Sequence, residues 1–419
     1  MTSHAAPILP PPISLSEIQQ RIQDLQVDGW LIYDFRGQNP IALHVAGLQG
    51  SGSRRWFLWI PKSGTPTWLI HAIEGSTFNH VTPELIGPIH KYVSWEELDG
   101  NLAQIVGKNS SLRIAMEYSP NCAIPYVSKI DAGIKEVVER ATDAEVVSSA
   151  DLVQYAQAVL SDSQIDSHRA AAAKCLEAKE LACDFIRDSL LAGKEISEYD
   201  VQSVIMNHFR SHNMALSHPA IVSVNAHAAD PHYAPTSTRH SPVRRGDMIL
   251  MDIFTRDESS PHGCFGDITW TAFCGEETPA AVTDVFNVVA AGRDAAIAAV
   301  TAAMDAGEVI HGYEVDDACR NVIIDAGYGD YILHRTGHSL GPAVHWNGVN
   351  IDNLETQDRR SLIPGVMFTI EPGVYIPDFK ISDTAIGLGI RSEVNCLMHA
   401  DRVEVTTLPL QTDVRALLA

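Results

Sequence analysis

The chain has 419 residues, a net charge of −22, 45% hydrophobic residues and 20% charged residues. Its length exceeds one ordinary core and suits two domains, and its composition is that of a soluble globular protein. So acidic a chain lacks the basic patch that nucleic acid and anionic membrane require, and neither is expected as a partner.

The opening, MTSHAAPILPPPISL, has no basic segment, and its short apolar piece is broken by Pro10, Pro11 and Pro12, so it does not read as a signal peptide. SLSEIQQRIQDLQ (14–26) predicts an amphipathic helix with a serine cap. GWLIYDF (29–35) predicts a strand, RRWFLWIPKSGTPTWLIH (54–71) two strands around a Lys-Ser-Gly turn, and LRIAMEY (112–118) another strand. Residues 1–160 thus read as an α/β domain without a catalytic constellation. From residue 161 the character changes. An alanine-rich helix (161–195) and a second helix (197–213) precede strands at 220–225 and 247–257, with GDITWTAF as the next strand. Helices return at 278–304 and 314–327, then short strands at 365–376 and 389–399. Residues 161–419 therefore run through helices and then strands twice, which predicts a pseudo-symmetric α+β domain. No apolar run approaches the ~20 residues needed to span a bilayer. The cysteines (Cys122, Cys175, Cys183, Cys264, Cys274, Cys319 and Cys396) are odd in number and irregularly spaced, without a CxxC pair. They read as thiols of a reducing compartment, and a cytoplasmic location is expected.

The second half holds carboxylates where apolar residues belong. Asp252 sits in MILMDIF and Asp267 in GDITWTAF. Taken singly, each reads as a buried aspartate satisfied by backbone donors or an arginine. Two of them converging in a hairpin need a metal or a shared proton. Glu371 in FTIEPGVY ends an apolar strand before Pro372, and Glu393 in GIRSEVN shares a strand face with Arg391, with which it can pair. HRTGHSLGPAVH (334–345) adds His334, His338 and His345. Oxygen-rich ligands with one imidazole suit a pair of divalent ions such as Mn, Co, Fe or Zn. Two such ions ~3.5–4 Å apart can activate a water and clamp a carbonyl oxygen.

With these residues in order, the chain from about 160 to 410 resembles the pita-bread metallopeptidases, which include methionine aminopeptidase, aminopeptidase P and prolidase. The family's ligand order, Asp, Asp, His, Glu, Glu, maps onto Asp252 in LMDI, Asp267 in GDIT, His338 in TGHSLG, Glu371 in TIEPG and Glu393 in IRSEV. The segment GWLIYDFRGQNPIALHVAG and the order of domains resemble the creatinase-type domain that precedes this fold in aminopeptidase P and prolidase. The resemblance implies an α+β architecture: a creatinase-like α/β N-terminal domain, then a pseudo-symmetric pita-bread catalytic domain. It implies two divalent metal ions, manganese foremost and Co, Zn or Fe as alternatives, with Glu371 also serving as acid–base catalyst. By the same resemblance, His232 in DPHYAP lies near the scissile nitrogen, His345 contacts the substrate carbonyl, His334 is a further active-site histidine, and Arg391 supports the last glutamate. The substrate implied is a short peptide with proline at its second position, cleaved by a dipeptidase or an aminopeptidase, and the assembly implied is a homodimer. His218, His227, His240 and His262 read as incidental, and Cys264 as a packed thiol.

The chain departs from the family's pattern at four places. Trp270 follows the second aspartate where arginine is common, and Phe254 stands two positions after the first. The 15-position connection from Asp252 to Asp267 is long, and Val394 replaces a common aspartate after Glu393. None removes a ligand, so they bear on substrate choice, with Trp270 read as a substrate-side or supporting residue. Trp270 and Val394 keep a creatinase- or ectoine-hydrolase-like amidohydrolase as the alternative. A catalytically dead binding module is the weaker one, since such modules lose ligands.

Overall fold

The computed structural model describes residues 14–419 except 49, 51, 79, 80, 217, 218 and 261. The reading of residues 1–13 as an opening without a signal peptide and of His218 as incidental lies outside the described residues. The chain divides after Gln157 into two compact units.

The first unit is a three-layer α/β/α structure. Its strands are β1 (Gly29–Asp34), β2 (Trp56–Pro61), β3 (Thr67–His71), β4 (Ile89–Tyr92), β5 (Arg113–Met116) and β6 (Glu145–Ser148), in the order β4-β3-β2-β1-β5-β6. Strand alternation sends Trp30, Ile32, Trp56 and Leu58 to one face, under α1 (Leu15–Asp24), α2 (Pro40–Ala46) and α5 (Ala150–Gln157). Leu31, Tyr33, Phe57 and Trp59 go to the other, under α3 (Trp95–Val106) and α4 (Ala132–Thr142). Both faces are buried, so the strands read as continuous apolar runs.

The second unit is built from two similar halves. In the first, α6 (Asp162–Leu191) and α7 (Glu198–Ser211) cover a sheet ordered β18-β11-β10-β8. The short β7 (Ile196–Ser197) and β9 (Pro242–Val243) pair beside it, and β8 spans Ile221–Val224, β10 Met248–Thr255, β11 Gly266–Phe273 and β18 Arg415–Ala416. Gly266 lets α6 lie close on this sheet, since a Cβ there would run into the backbone of Ala171 and Ala172. In the second half, α8 (Ala280–Ala306) and α9 (Gly312–Asp325) pack together, and α8 lies along the strands. Those are β12 (Ser339–Leu340), β13 (Met367–Ile370), β14 (Gly373–Lys380), β15 (Ile386–Arg391), β16 (Val394–Met398) and β17 (Val403–Val405). They form a sheet ordered β12-β13-β16-β17 and a β14-β15 hairpin.

Two expected strands are each broken in two. The run 365–376 becomes β13 and β14, interrupted at Glu371 and Pro372, where proline supplies no N–H to a ladder. The run 389–399 becomes β15 and β16, interrupted at Ser392 and Glu393. The expectation that no segment is apolar enough for a bilayer also needs correction: α8 is long and apolar enough by length and composition. Its buried residues, Val282, Val285, Phe286, Val289, Gly292, Arg293, Ala296 and Val300, recur at helical spacing and form one stripe. Within that stripe the Arg293 guanidinium donates to Ser392 Oγ at 2.7 Å and to the Gln411 carbonyl at 2.8 Å.

Candidate active site

Asp252 and Asp267 are set by one antiparallel register. Asp252 pairs with Thr269 and Phe254 with Asp267, so all four share one face of the β10–β11 pair. The opposite face carries Met251, Ile253, Ile268 and Trp270 against α6 and α7. Trp270 therefore does not line the site, contrary to the reading from sequence. It stands three positions from Asp267, an odd step that turns it to the helices, where Lys179 Nζ lies 3.6 Å from its ring centroid. Val394 likewise pairs with Ile370, on the face of β13–β16 away from Thr369 and Asn395.

The remaining ligand candidates come from the second half. Gly337 allows the His338 segment to approach β13, because a Cβ there would collide with the Thr369 carbonyl. The His338 amide donates to Thr369 Oγ1 at 3.0 Å, and Thr369 donates to Glu371 Oε1 at 3.1 Å. Thr369 thus sets both ligands from one hydroxyl. His338 Nδ1 lies 3.1 Å from the Ser339 carbonyl, which only accepts, so Nδ1 carries a proton and Nε2 is the nitrogen turned to the carboxylates. That Nε2 is 3.2 Å from Glu371 Oε1 and 3.8 Å from Asp267 Oδ2. Asp267, His338 and Glu393 each bring a ligand atom within 4.8 Å of the others.

Around them is a tight donor set. Arg391 Nη2 pairs with Asp252 Oδ2, and its Nε donates to Thr269 Oγ1 at 2.9 Å. Thr269 passes the contact on, donating to Glu393 Oε2 at 2.6 Å. Arg391 therefore supports Glu393 through Thr269 and Asp252 directly. Asn395 clamps the Asp267 backbone, accepting from its amide at 3.0 Å and donating to its carbonyl at 2.7 Å. His334 donates from Nδ1 to the Arg335 carbonyl at 2.7 Å and accepts the Tyr375 hydroxyl on Nε2 at 2.7 Å. The His345 ring packs edge-on against His338 with centroids 4.3 Å apart. Although one side of this residue is open, burial of its imidazole, with help from His338 and Arg335, holds its pKa down at about 3, so it is neutral at working pH.

His232 stands on an exposed loop, close enough to His345 for the two imidazoles to interact. That loop is tied down by the buried Glu198. The carboxylate accepts from the Val224 amide (2.8 Å), His227 Nδ1 (2.9 Å), the Tyr233 hydroxyl (2.7 Å) and the Ser241 amide (2.6 Å). His227 is therefore a structural partner of Glu198 and not an incidental surface histidine. His240 remains on the exposed stretch, and Cys264 is a buried thiol packed beside Leu340 and Met367. Thr269, Thr369, Tyr375, Asn395 and Glu198 had no counterpart in the sequence reading. The two threonines were reachable by counting alternation, two positions after Asp267 and two before Glu371.

The electrostatics call for cations. Burial pushes Asp267 and Glu393 well above the usual carboxylate range, and neighbouring carboxylates push them further. Asp252 is also raised by burial, against the pull of Arg391. Burial acts in the same sense on Glu371, but its bond to His338 and the charges of His338 and Arg391 draw it well below its ordinary value. Asp267 Oδ1 and Glu393 Oε1 are buried without any hydrogen-bond partner. Bare anionic oxygens in a dry site are what a divalent cation satisfies, and a set of four carboxylates with one imidazole fits such ions.

The comparisons with known proteins agree with this chemistry. An Xaa-Pro dipeptidase of Lactobacillus delbrueckii subsp. lactis is 27% identical over 239 residues, 56% of this chain and 59% of that protein, so the match spans under two thirds of the relative's length. Dipeptidase PepE from Mycobacterium ulcerans has a similar fold, with a TM-score of 0.68, 20% identity and 96% of both chains covered. The prolidase from Pyrococcus horikoshii OT3 superposes with a TM-score of 0.59 and 20% identity over 96% of this chain and 99% of its own. These neighbours share the pita-bread fold, and the α+β architecture here is that fold. The model of metallopeptidase family M24 matches residues 166–400, over half of the chain and the whole stretch that carries the clustered carboxylates and histidines, which makes this protein a peptidase of that family.

Proposed function

We propose that this peptidase cleaves the bond before proline in short peptides, as an Xaa-Pro dipeptidase or aminopeptidase, with two divalent ions held by Asp252, Asp267, His338, Glu371 and Glu393. The observation that carries the reading is the pair of orphaned oxygens, Asp267 Oδ1 and Glu393 Oε1, in a group with His338. Similarity to an Xaa-Pro dipeptidase supports the proline specificity. Manganese is the favoured ion, and the working form is taken to be a cytoplasmic homodimer.

When bound, the ions supply Lewis acidity, lowering the pKa of a water and polarising the scissile carbonyl. Glu371, drawn to the ionised form at neutral pH, accepts the proton of the attacking water and returns it to the leaving nitrogen. Neutral His345 donates a hydrogen bond to the carbonyl oxygen as charge builds there, an effect worth about 3 kcal/mol for a well-placed donor. His232, on the loop anchored by Glu198, meets the leaving nitrogen. Arg391 keeps Asp252 and Glu393 in place, the second through Thr269. Phe254 shares the ligand face and supplies an apolar wall beside it. Trp270 and Val394, the departures behind the amidohydrolase alternative, face away and lend it no support.

The test is proline release from a panel of Xaa-Pro dipeptides and Xaa-Pro-Yaa tripeptides, with manganese and with chelator. Chelator-sensitive release is expected, and the preferred length separates dipeptidase from aminopeptidase. No release from any member with metal bound overturns the proline specificity.

A further inference from the structure

Away from the catalytic group, a second set of side chains is arranged as ligands are. Glu177 on α6 and His208 and His212 at the end of α7 each bring a ligand atom within 4.8 Å of the other two. The sheet face that packs on α6 and α7 is the one opposite Asp252 and Asp267, so β10 and β11 stand between the two sets.

The two histidines are prepared differently. The His208 side chain keeps 9% of its surface, and its Nε2 is buried with no hydrogen-bond partner. That nitrogen nevertheless stands 3.2 Å from Glu177 Oε2. A buried ring nitrogen facing a carboxylate oxygen without a hydrogen bond is left short of a cation that the two could share. His212 Nδ1 lies 2.9 Å from the His208 carbonyl, an acceptor only, so Nδ1 carries the proton and the exposed Nε2 offers its lone pair. Ligating imidazoles are held in this way by a carbonyl on the far nitrogen. The Ser211 hydroxyl, 3.1 Å from the same Nδ1, adds a second contact. The i, i+4 spacing sets both rings on one side of the helix end, with centroids 4.3 Å apart. Lys174 Nζ already donates to Glu177 at 3.0 and 2.8 Å, so an incoming ion shares that carboxylate with an ammonium.

We propose that Glu177, His208 and His212 form a separate site for one borderline divalent ion, zinc, nickel or copper, that joins the end of α7 to α6. Two imidazoles and one carboxylate favour these ions over manganese or magnesium, which prefer an all-oxygen shell. The site differs in ion preference from the carboxylate-rich group and needs no substrate.

Equilibrium dialysis of the full-length protein against zinc, with bound metal counted by mass spectrometry, tests this. His212 and Glu177 are exposed, so His212→Ala and Glu177→Gln leave the core untouched. Each is expected to weaken the extra zinc at least ~10-fold while peptide hydrolysis stays at the parent level. The same loss is expected in an Asp267→Ala background, which separates this site from the catalytic ions. In dialysis against manganese, His212→Ala should bind as much metal as its parent. Equal zinc binding by parent, His212→Ala and Glu177→Gln in both backgrounds overturns the proposal.

Discussion

Asp267 and Glu393 leave water almost completely and each keeps one carboxylate oxygen without a donor. An unsatisfied buried polar atom costs about 1–3 kcal/mol, more when charged. The metal-free site is therefore strained, and removing one carboxylate has opposite effects with and without the ions. Asp267→Ala is expected to lose bound metal and at least ~10³-fold in kcat/KM. In chelator the same variant should melt above its parent, because the unpartnered buried carboxyl is gone; with metal the order should reverse. Calorimetry in the two conditions checks this, and a variant that melts below the parent in both refutes the strain. Arg391 touches Asp252 and Thr269 through two different nitrogens, a fork that lysine lacks. Arg391→Lys should lower kcat/KM about 10–100-fold and weaken metal retention despite keeping the charge, as steady-state kinetics and metal analysis would show. The candidate ligands stood out in the sequence because a charge within an apolar strand is anomalous, and because the flanking residues matched a family pattern. Thr269, Thr369 and Asn395 were not: a threonine in a strand is ordinary, and its role appears only once the register is known. Trp270 was misassigned by reading nearness along the chain as nearness in space.

Whole elements place these side chains, and α6 is the most heavily engaged. Its buried His168 reaches the Phe265 carbonyl through Nδ1 at 2.6 Å and Thr406 Oγ1 through Nε2 at 2.7 Å, joining α6 to the start of β11 and to the chain after β17. Burial holds this imidazole down at about 4, so it stays neutral in the fold. In the unfolded chain it protonates near 6.5. Its contribution is complete above that value and is lost as pH falls from about 6.5 toward 4, a loss on the order of 3 kcal/mol. His168→Gln should flatten the acid side of the stability profile in this window, as urea melts across the range would show; an unchanged slope refutes the assignment. Among the elements, the long helices of the second unit were legible from their period and caps. The breaks at Glu371 and Glu393 were not, since continuous apolar character masked them. The helices α2, α3 and α4 of the first unit were also missed, although Ser94 and Glu97 form a capping box at the start of α3. Only α2 is short, and the apolar faces of all three are buried by the sheet they cover.

Across the second unit, the two halves are joined through their facing strands and by several buried polar contacts. The first half supplies Asp252 and Asp267, the second His338, Glu371 and Glu393, and Arg293 spans from α8 to Ser392 and Gln411. Gln411 in turn donates to the Thr271 carbonyl of β11 at 2.7 Å. The repetition of helices and strands made two halves legible in the sequence, but which face of each turned inward depended on pairings more than a hundred residues apart. A chain cut in the turn between β11 and α8, at Glu276, would give two pieces, each with an incomplete set of candidate ligands. Their association should tighten by about 2.7 kcal/mol when the ion stands at a hundred times its dissociation constant. Titration of one piece into the other, with and without manganese, measures this, and equal affinities would refute it. The same division has a bearing on synthesis at the ribosome. Asp252 and Asp267 emerge well before His338, Glu371 and Glu393, so a chain still short of Glu393 cannot complete the set. A peptidase is thereby kept silent while its own second half is still being made.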